Sequence, residues 1–153
     1  MRTLFLLLLA SIALSSCKNQ YLRGRYTVAE FQAQAEWKDV RGERYKPREQ
    51  WLDSLNNLQA KGPVDARIYL GTWCSDSRRW VPRFFRLSNH LPLQNVEIIA
   101  VDTSKRDAEG WVYRDKVDSL PTFIFFRDGI EVGRFHTKPP KRNLERKLFQ
   151  LLR

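Results

Sequence analysis

Two short apolar runs, Val96–Val101 and Thr122–Phe126, constrain the fold of this chain more than any other feature of its sequence. Each run is nearly continuous, which is typical of a strand that is covered on both faces. Arg67–Gly71 is a third β segment, and a helical pattern from Ser75 to about His90 separates it from the first run. A strand–helix–strand unit of this kind requires a parallel pair with a right-handed crossover.

Weaker signals predict the remaining elements. Thr27 and Glu30 have capping-box spacing, which predicts a helix that ends near Trp37. Apolar residues recur at helical spacing after Pro47 and stop at Gly62. The later elements are a helix over Asp107–Lys116, a tight turn at Arg127–Gly129, an outer strand over Ile130–Phe135 and a helix over Asn143–Leu152. We therefore expect an α/β fold with a central mixed sheet of about four to five strands and helices on both faces.

The N-terminus predicts export. A basic residue and an apolar run, Leu4–Leu14, precede small residues, and the run is too short to span a bilayer as a mature helix. It ends in Leu14-Ser15-Ser16-Cys17, which resembles the lipobox of bacterial lipoproteins, although a plain signal peptide with an incidental cysteine is the alternative. The lipobox implies that residues 1–16 are removed and that Cys17 is lipidated. Residues 17–45 would then form the lipidated N-terminus, a polar tether over Lys18–Arg25 and a short helix, and residues 46–153 the folded domain.

Charge and export together limit the partners. The formal net charge is +10, which would suit nucleic acid, but the chain carries no nucleic-acid motif and export argues against that partner. A basic surface near anionic lipid headgroups is one account of the charge, and solubility alone is an equal alternative. We expect a protein of the bacterial cell envelope, held to a membrane by lipid and facing the periplasm or the exterior.

Lipidation of Cys17 would leave Cys74 as the one thiol of the mature chain, because the sequence contains two cysteines. Cys74 lies where a strand ends and a helix begins, so its sulfur would meet helix N–H groups and the positive end of the helix dipole, which favour the thiolate. The alternative is that the residues after Cys74 are simply good helix caps and that Cys74 is inert. His90 and His136 are too isolated to suggest a metal, and we predict no cofactor.

Four motifs occur in an order that resembles the thioredoxin-like superfamily, especially its extracytoplasmic TlpA-like branch. They are Trp73-Cys74, Pro82 in the following helix, Leu120-Pro121-Thr122 before an apolar strand, and Asp128-Gly129 in the hairpin. The resemblance covers Arg67–Leu152. It implies a thioredoxin-like fold, a cis bond before Pro121, and thiol–disulfide exchange with partner proteins. It also implies that Trp73 and residues 120–122 contact an extended peptide.

The chain departs from that family at the resolving cysteine. Ser77 occupies its position, and a hydroxyl cannot release a mixed disulfide, although it can donate a hydrogen bond to the sulfur of Cys74. Ile68 and Trp80 occupy positions where family members often carry acids. We therefore expect Cys74, with Ser77, to act as a monothiol on partner disulfides or thiols. The alternative is a non-catalytic module that binds a peptide between the Trp73 and Pro121 loops.

Overall fold

The computed structural model describes residues 21–34, 37, 45–136 and 143–153. The predicted signal peptide and the predicted lipidation site at Cys17 lie outside these residues. The strands are β1 Gly24–Thr27, β2 Val64–Leu70, β3 Leu93–Ala100, β4 Thr122–Arg127 and β5 Ile130–His136. The helices are α1 Val28–Gln32, α2 Glu49–Asn56, α3 Ser75–Leu87, α4 Trp111–Arg114 and α5 Leu144–Leu152, and short 3₁₀ turns extend α2 and α3.

The described strands form one mixed sheet in the order β1-β3-β2-β4-β5. β2 and β3 are parallel, with Leu70 opposite Ala100, and α3 is the crossover between them. β4 and β5 form an antiparallel hairpin, whose turn residues Asp128 and Gly129 have φ angles of 52° and 77°. The predicted parallel pair, the hairpin and the mixed α/β sheet are therefore confirmed.

The N-terminal strand corrects the predicted tether. Gly24 and Arg25 belong to β1, which pairs antiparallel with β3 and places Gly24 opposite Ala100. An edge strand of four residues is held by backbone pairing and needs no apolar run, so no local pattern indicates it. The capping box that follows is confirmed at Thr27 and Glu30, but α1 ends at Gln32 rather than near Trp37.

One face of the sheet carries the main hydrophobic core. Side chains of alternate strand residues, such as Ile68 and Phe125, point to this face and pack against α2, α3 and α5. Phe84 of α3 packs on β4, where its ring contacts both Phe123 and Phe125. Burial of each such side chain contributes roughly 1.5–3 kcal/mol, so this face supplies most of the driving force for folding.

The opposite face carries a smaller apolar cluster and is covered by the segment between β3 and β4. That segment was predicted to be helical over Asp107–Lys116, but the helix α4 spans only four residues, Trp111–Arg114. The carboxylate of Asp107 accepts hydrogen bonds from the N–H groups of Glu109, Trp111 and Val112. These bonds bend the chain between Asp107 and the start of α4. Gly110, with a φ of 78°, then starts the helix.

Candidate active site around Cys74

Cys74 is the N-cap residue of α3, four residues after the last residue of β2. Its backbone is extended, its N–H donates to the Gly71 carbonyl over 2.9 Å, and its own carbonyl accepts from Arg78 N over 3.0 Å. The side chain is half-buried. A partly exposed sulfur at the N-terminus of a 13-residue helix is in a position where helix N–H groups and the helix dipole favour negative charge.

The Pro121 loop lies directly against the thiol. Cys74 Sγ is 3.8 Å from the carbonyl oxygen of Leu120, in a contact where the thiol donates and the carbonyl accepts. The bond between Leu120 and Pro121 is cis, as predicted. Leu120 is 6% exposed and Thr122 is 3% exposed. Because these side chains belong to the core, a partner that reached this loop would meet chiefly its backbone.

Ser77 lies one helical turn beyond Cys74 and is fully buried. Its Oγ accepts a hydrogen bond from the Gly71 N–H over 3.3 Å, which ties the start of α3 to the end of β2. The sequence suggested a hydrogen bond from this hydroxyl to the sulfur, whereas the contact found for Ser77 is with Gly71. Ser77 therefore helps to position the loop that carries Cys74.

Trp73 is anchored beside the thiol. Its indole Nε1 donates to the Val101 carbonyl over 3.1 Å, and its half-buried ring packs against the smaller cluster. A Cβ at Gly71 would lie 2.6 Å from the Trp73 ring, so only glycine fits there, a requirement that the sequence did not reveal. Trp80, in the next turn of α3, is only 7% exposed and packs in the main core.

Contacts from the N-terminal segment complete the site, and the sequence analysis missed them. The backbone N–H of Leu22 donates to Thr72 Oγ1 over 3.4 Å, and the Thr72 carbonyl accepts from the Arg78 guanidinium over 3.3 Å. The guanidinium of Arg23 donates to the Asp107 carbonyl over 2.9 Å. These partners are 50 and 84 residues apart in sequence, so no local pattern could have indicated them.

Asp107 organises the segment that covers the site. Burial opposes its charge, but hydrogen bonds from the backbone N–H groups at Val112, Trp111, Glu109 and Gly110 outweigh burial and lower the pKa of Asp107. The carboxylate is therefore ionised near neutral pH and is used to hold the turns before α4. This segment in turn covers the smaller cluster, against which Trp73 and Cys74 pack.

A charged network lies behind the site on the same face of the sheet. Arg67 binds Asp115 over 2.7 Å and Glu97 over 2.5 Å, and its guanidinium stacks 4.5 Å from the Trp111 ring centroid. The fully buried Tyr69 donates to Asp115 over 2.6 Å. Burial, followed by this bond to Asp115, raises the pKa of Tyr69, so its hydroxyl stays protonated as a donor. The network joins β2 and β3 to the end of α4.

Two further properties of the described residues bear on the chemistry. Within residues 21–34, 37, 45–136 and 143–153, histidine, cysteine and acidic side chains form no group of three that could hold a metal ion. None of the helices over the same residues is long and apolar enough to cross a bilayer. In this part of the chain, Cys74 is the candidate group for covalent chemistry.

Comparison with known proteins identifies the family. The family model described as Thioredoxin matches residues 52–150, which include β2, Cys74, the Pro121 loop and most of α5. The chain belongs to the thioredoxin family. Its predicted thioredoxin-like fold is confirmed.

Individual thioredoxins give the extent of the similarity. Chloroplastic thioredoxin Y1 of Arabidopsis thaliana is 30% identical over 93 residues, which are 60% of this chain and 52% of that protein. An H-type thioredoxin of Picea mariana is 31% identical over 103 residues, 67% of this chain and 78% of the relative. The chain spans 52%, 60% and 58% of the length of three curated relatives that it matches.

Among solved structures, thioredoxin O2 of Arabidopsis thaliana in its oxidised state is similar, with 20% identity, 71% of this chain and 92% of that chain covered, and a TM-score of 0.45. The thioredoxin of Fasciola hepatica is 26% identical, with 66% of this chain and 88% of that chain covered and a TM-score of 0.43.

Proposed function

We propose that this protein is an exported, lipid-anchored member of the thioredoxin family that acts through one thiol, Cys74, on the disulfides or thiols of partner proteins. The TlpA-like branch of the superfamily fits its N-terminal lipobox best. The observation that carries the proposal is the half-buried sulfur of Cys74 at the start of α3, 3.8 Å from the Leu120 carbonyl of the cis-proline loop.

The reaction follows from the presence of a single thiol. The Cys74 thiolate attacks one sulfur of a partner disulfide, forms a mixed disulfide with it, and releases the other sulfur as a thiolate. Ser77 has no sulfur with which to displace the partner. A second thiol, from the partner itself or from a small reductant such as glutathione, attacks the mixed disulfide and restores Cys74. This scheme suits disulfide isomerisation, deglutathionylation or trapping of a partner rather than net reduction.

Substitution of Cys74 separates this reaction from the binding-module alternative. Cys74→Ser should abolish mixed-disulfide formation with a model disulfide peptide, measured by mass spectrometry, because the nucleophile is lost. Ser75→Ala is the matched control, since it changes a neighbouring exposed residue and retains the thiol. Retention of full physiological activity by Cys74→Ser would contradict the monothiol reaction and support peptide binding alone.

A resolving thiol can be restored at position 77. Ser77→Cys should form an intramolecular disulfide with Cys74, because residues three apart at the start of one helix are neighbours and disulfides need Cα atoms within about 6.8 Å. The variant should gain disulfide reductase turnover that the wild type lacks. Mass spectrometry after mild oxidation and an insulin-reduction assay measure both effects. Strong wild-type turnover, or pairing of the two thiols only between molecules, would contradict the monothiol arrangement.

The lipid anchor is tested at Cys17. In a bacterial host the full chain should incorporate labelled fatty acid and fractionate with membranes, and Cys17→Ala should do neither. Cys74→Ala serves as the control, because it removes the other cysteine and should leave labelling intact. A wild-type protein that carries no lipid would overturn this part of the proposal.

A further inference from the structure

The direction of β1 determines where the chain enters the domain. β1 runs antiparallel to β3 and places Gly24 opposite Ala100, and Ala100 is in turn opposite Leu70 of the parallel strand β2. Adjacent strands lie about 4.8 Å apart, so Gly24 is only about 10 Å from the end of β2. Cys74 follows that end by four residues. The N-terminal segment therefore enters beside the thiol, at the end of the sheet where β2 and β3 finish. We call this end the Cys74 edge.

Two residues, Leu22 and Arg23, hold the segment at this edge. Leu22 N donates to Thr72 Oγ1, two residues before Cys74, and the side chain of Leu22 packs against the main core. Arg23 reaches over the segment after β3, where it binds the Asp107 carbonyl and lies 3.9 Å from the Asp102 carboxylate. The segment is thus docked beside the site before the chain turns into β1.

The covalent reach of the remaining tether is short. Four residues separate Cys17 from Leu22, so the two Cα atoms are five steps apart along the chain and at most about 18 Å apart when it is fully extended. The contact between Leu22 and Thr72 and the two residues to Cys74 add a little more, so Cys74 lies within about 30 Å of the lipidated residue whatever path the tether takes.

The same edge is basic. Arg78 and Arg79 lie in the first turn of α3, and Lys105 and Arg106 lie in the segment after β3; all four side chains are exposed, as is Arg23. Asp102 is paired with Arg23 and Arg106, and Asp76 in the first turn of α3 offsets part of the remaining positive charge. A basic edge around the tether is complementary to the anionic surface of a bacterial membrane.

We propose that the membrane anchor holds the Cys74 edge of the domain against the bilayer, so that the partners of the thiol are cysteines or disulfides at the membrane surface. This inference rests on the proposed lipidation and monothiol chemistry, and it adds the substrate class. Attack on a surface disulfide forms a bond between Cys74 and the membrane-side sulfur and expels the other sulfur as a thiolate.

A lipid-borne disulfide tests this orientation directly. Lipidated full-length protein is reconstituted in vesicles of phosphatidylcholine and phosphatidylglycerol that contain phosphatidylethanolamine with a pyridyl disulfide on its headgroup. The released pyridinethione is measured, and the rate is divided by the rate with a soluble pyridyl disulfide in plain vesicles. The ratio removes the intrinsic reactivity of the thiol from the comparison.

A matched control moves the thiol to the opposite end of the strands, away from the Cys74 edge. Ile130, at the start of β5, is 72% exposed, and its partner in β4 is Arg127, the last residue of that strand. β4 runs away from the site edge, because Thr122 pairs with Tyr69 and Phe126 with Asp65. The double variant Cys74→Ser, Ile130→Cys therefore keeps the tether but places the thiol about 20 Å farther along the sheet. Its ratio should be at least about tenfold lower than that of the wild type.

A spacer changes the tether and leaves the domain intact. Insertion of 20 glycine and serine residues between Asn19 and Gln20 should lower the wild-type ratio about tenfold, since effective concentration falls as roughly the −3/2 power of tether length. An unchanged or higher ratio after insertion, or equal ratios for the two thiol positions, would overturn the orientation. Absence of lipid on Cys17, or of any reaction with the soluble disulfide, would instead show that the proposed function has failed, and this inference with it.

Discussion

The two faces of the sheet are built in different ways. One face is apolar and is covered by α2, α3 and α5, which bury a continuous set of aromatic and aliphatic side chains. The other face holds a cluster of six buried apolar residues, and beside it lie the ion pairs of Arg67 with Glu97 and Asp115. Its cover is a segment of turns with one helix of four residues.

This difference shows where the molecule places its chemistry. Cys74 and Trp73 pack against the smaller cluster, not the main core. The main core therefore supplies stability, while the thinly covered face governs access to the thiol. Segments with few apolar contacts open at lower free energy than a packed core, so changes on the two faces should affect the thiol differently.

The largest effect is expected in the main core. Phe125→Ala removes a fully buried ring and should lower the free energy of unfolding by about 3–5 kcal/mol. Its neighbour Phe126 points to the other face and is half-buried, so Phe126→Ala should lower the free energy of unfolding by clearly less. Urea denaturation measures both. The alkylation rate of Cys74 in the folded Phe125→Ala variant should stay close to that of the wild type, and equal costs for the two variants would contradict the contrast between the faces.

The charged network should contribute less to the free energy of unfolding than the main core, and its contribution should depend on salt concentration. Arg67→Met leaves Glu97 and Asp115 without their common partner and should cost about 1–3 kcal/mol, less than for a fully buried pair because the Arg67 side chain is 20% exposed. Glu131→Gln, which breaks the more exposed pair with Arg134, should cost less than about 1 kcal/mol. Urea titrations at low and high NaCl should show the Arg67→Met penalty shrink with salt. A salt-independent penalty would assign it to packing on Trp111 instead.

Asp107→Asn should give a modest change in stability but the clearest change at the thiol. Asp107→Asn loses charge-assisted hydrogen bonds to the turns before α4 and should cost about 1–2 kcal/mol near pH 7. The segment would then open more readily, and Cys74 should be alkylated several-fold faster.

The pH dependence of that cost has a defined sign. Because the folded pKa of Asp107 is lowered, its carboxylate stabilises the fold above the ordinary aspartate pKa of about 3.9, and this contribution is lost as pH falls through the folded value. The difference in the free energy of unfolding between the wild type and Asp107→Asn should therefore become smaller as the pH is lowered. Asp118→Asn, an exposed change on the same segment, is the control. A difference that widened in acid would contradict a lowered pKa.

Much of the fold could be predicted from local pattern. The parallel pair, the helix that contains Pro82 and the Asp128–Gly129 hairpin each leave a signal within a few residues, and each is present. The four-residue strand β1 could not be predicted, because its pairing partner lies some 70 residues away and its own residues show no apolar alternation. The predicted helix over Asp107–Lys116 was too long, because the hydrogen bonds of the Asp107 carboxylate, which shorten it to α4, leave no signal in the sequence pattern.

The candidate site divides in the same way. Local sequence is enough to place Cys74 between a strand and a helix, with a proline loop later in the chain and Ser77 in place of a second thiol, because these features depend on residues close together in the chain. The contact of the Leu120 carbonyl with the sulfur, the hydrogen bond between Ser77 and Gly71, and the docking of residues 22 and 23 beside the thiol come from tertiary packing. Those contacts depend on strand direction and register, which are set by the packing of the whole sheet and leave no mark in local sequence.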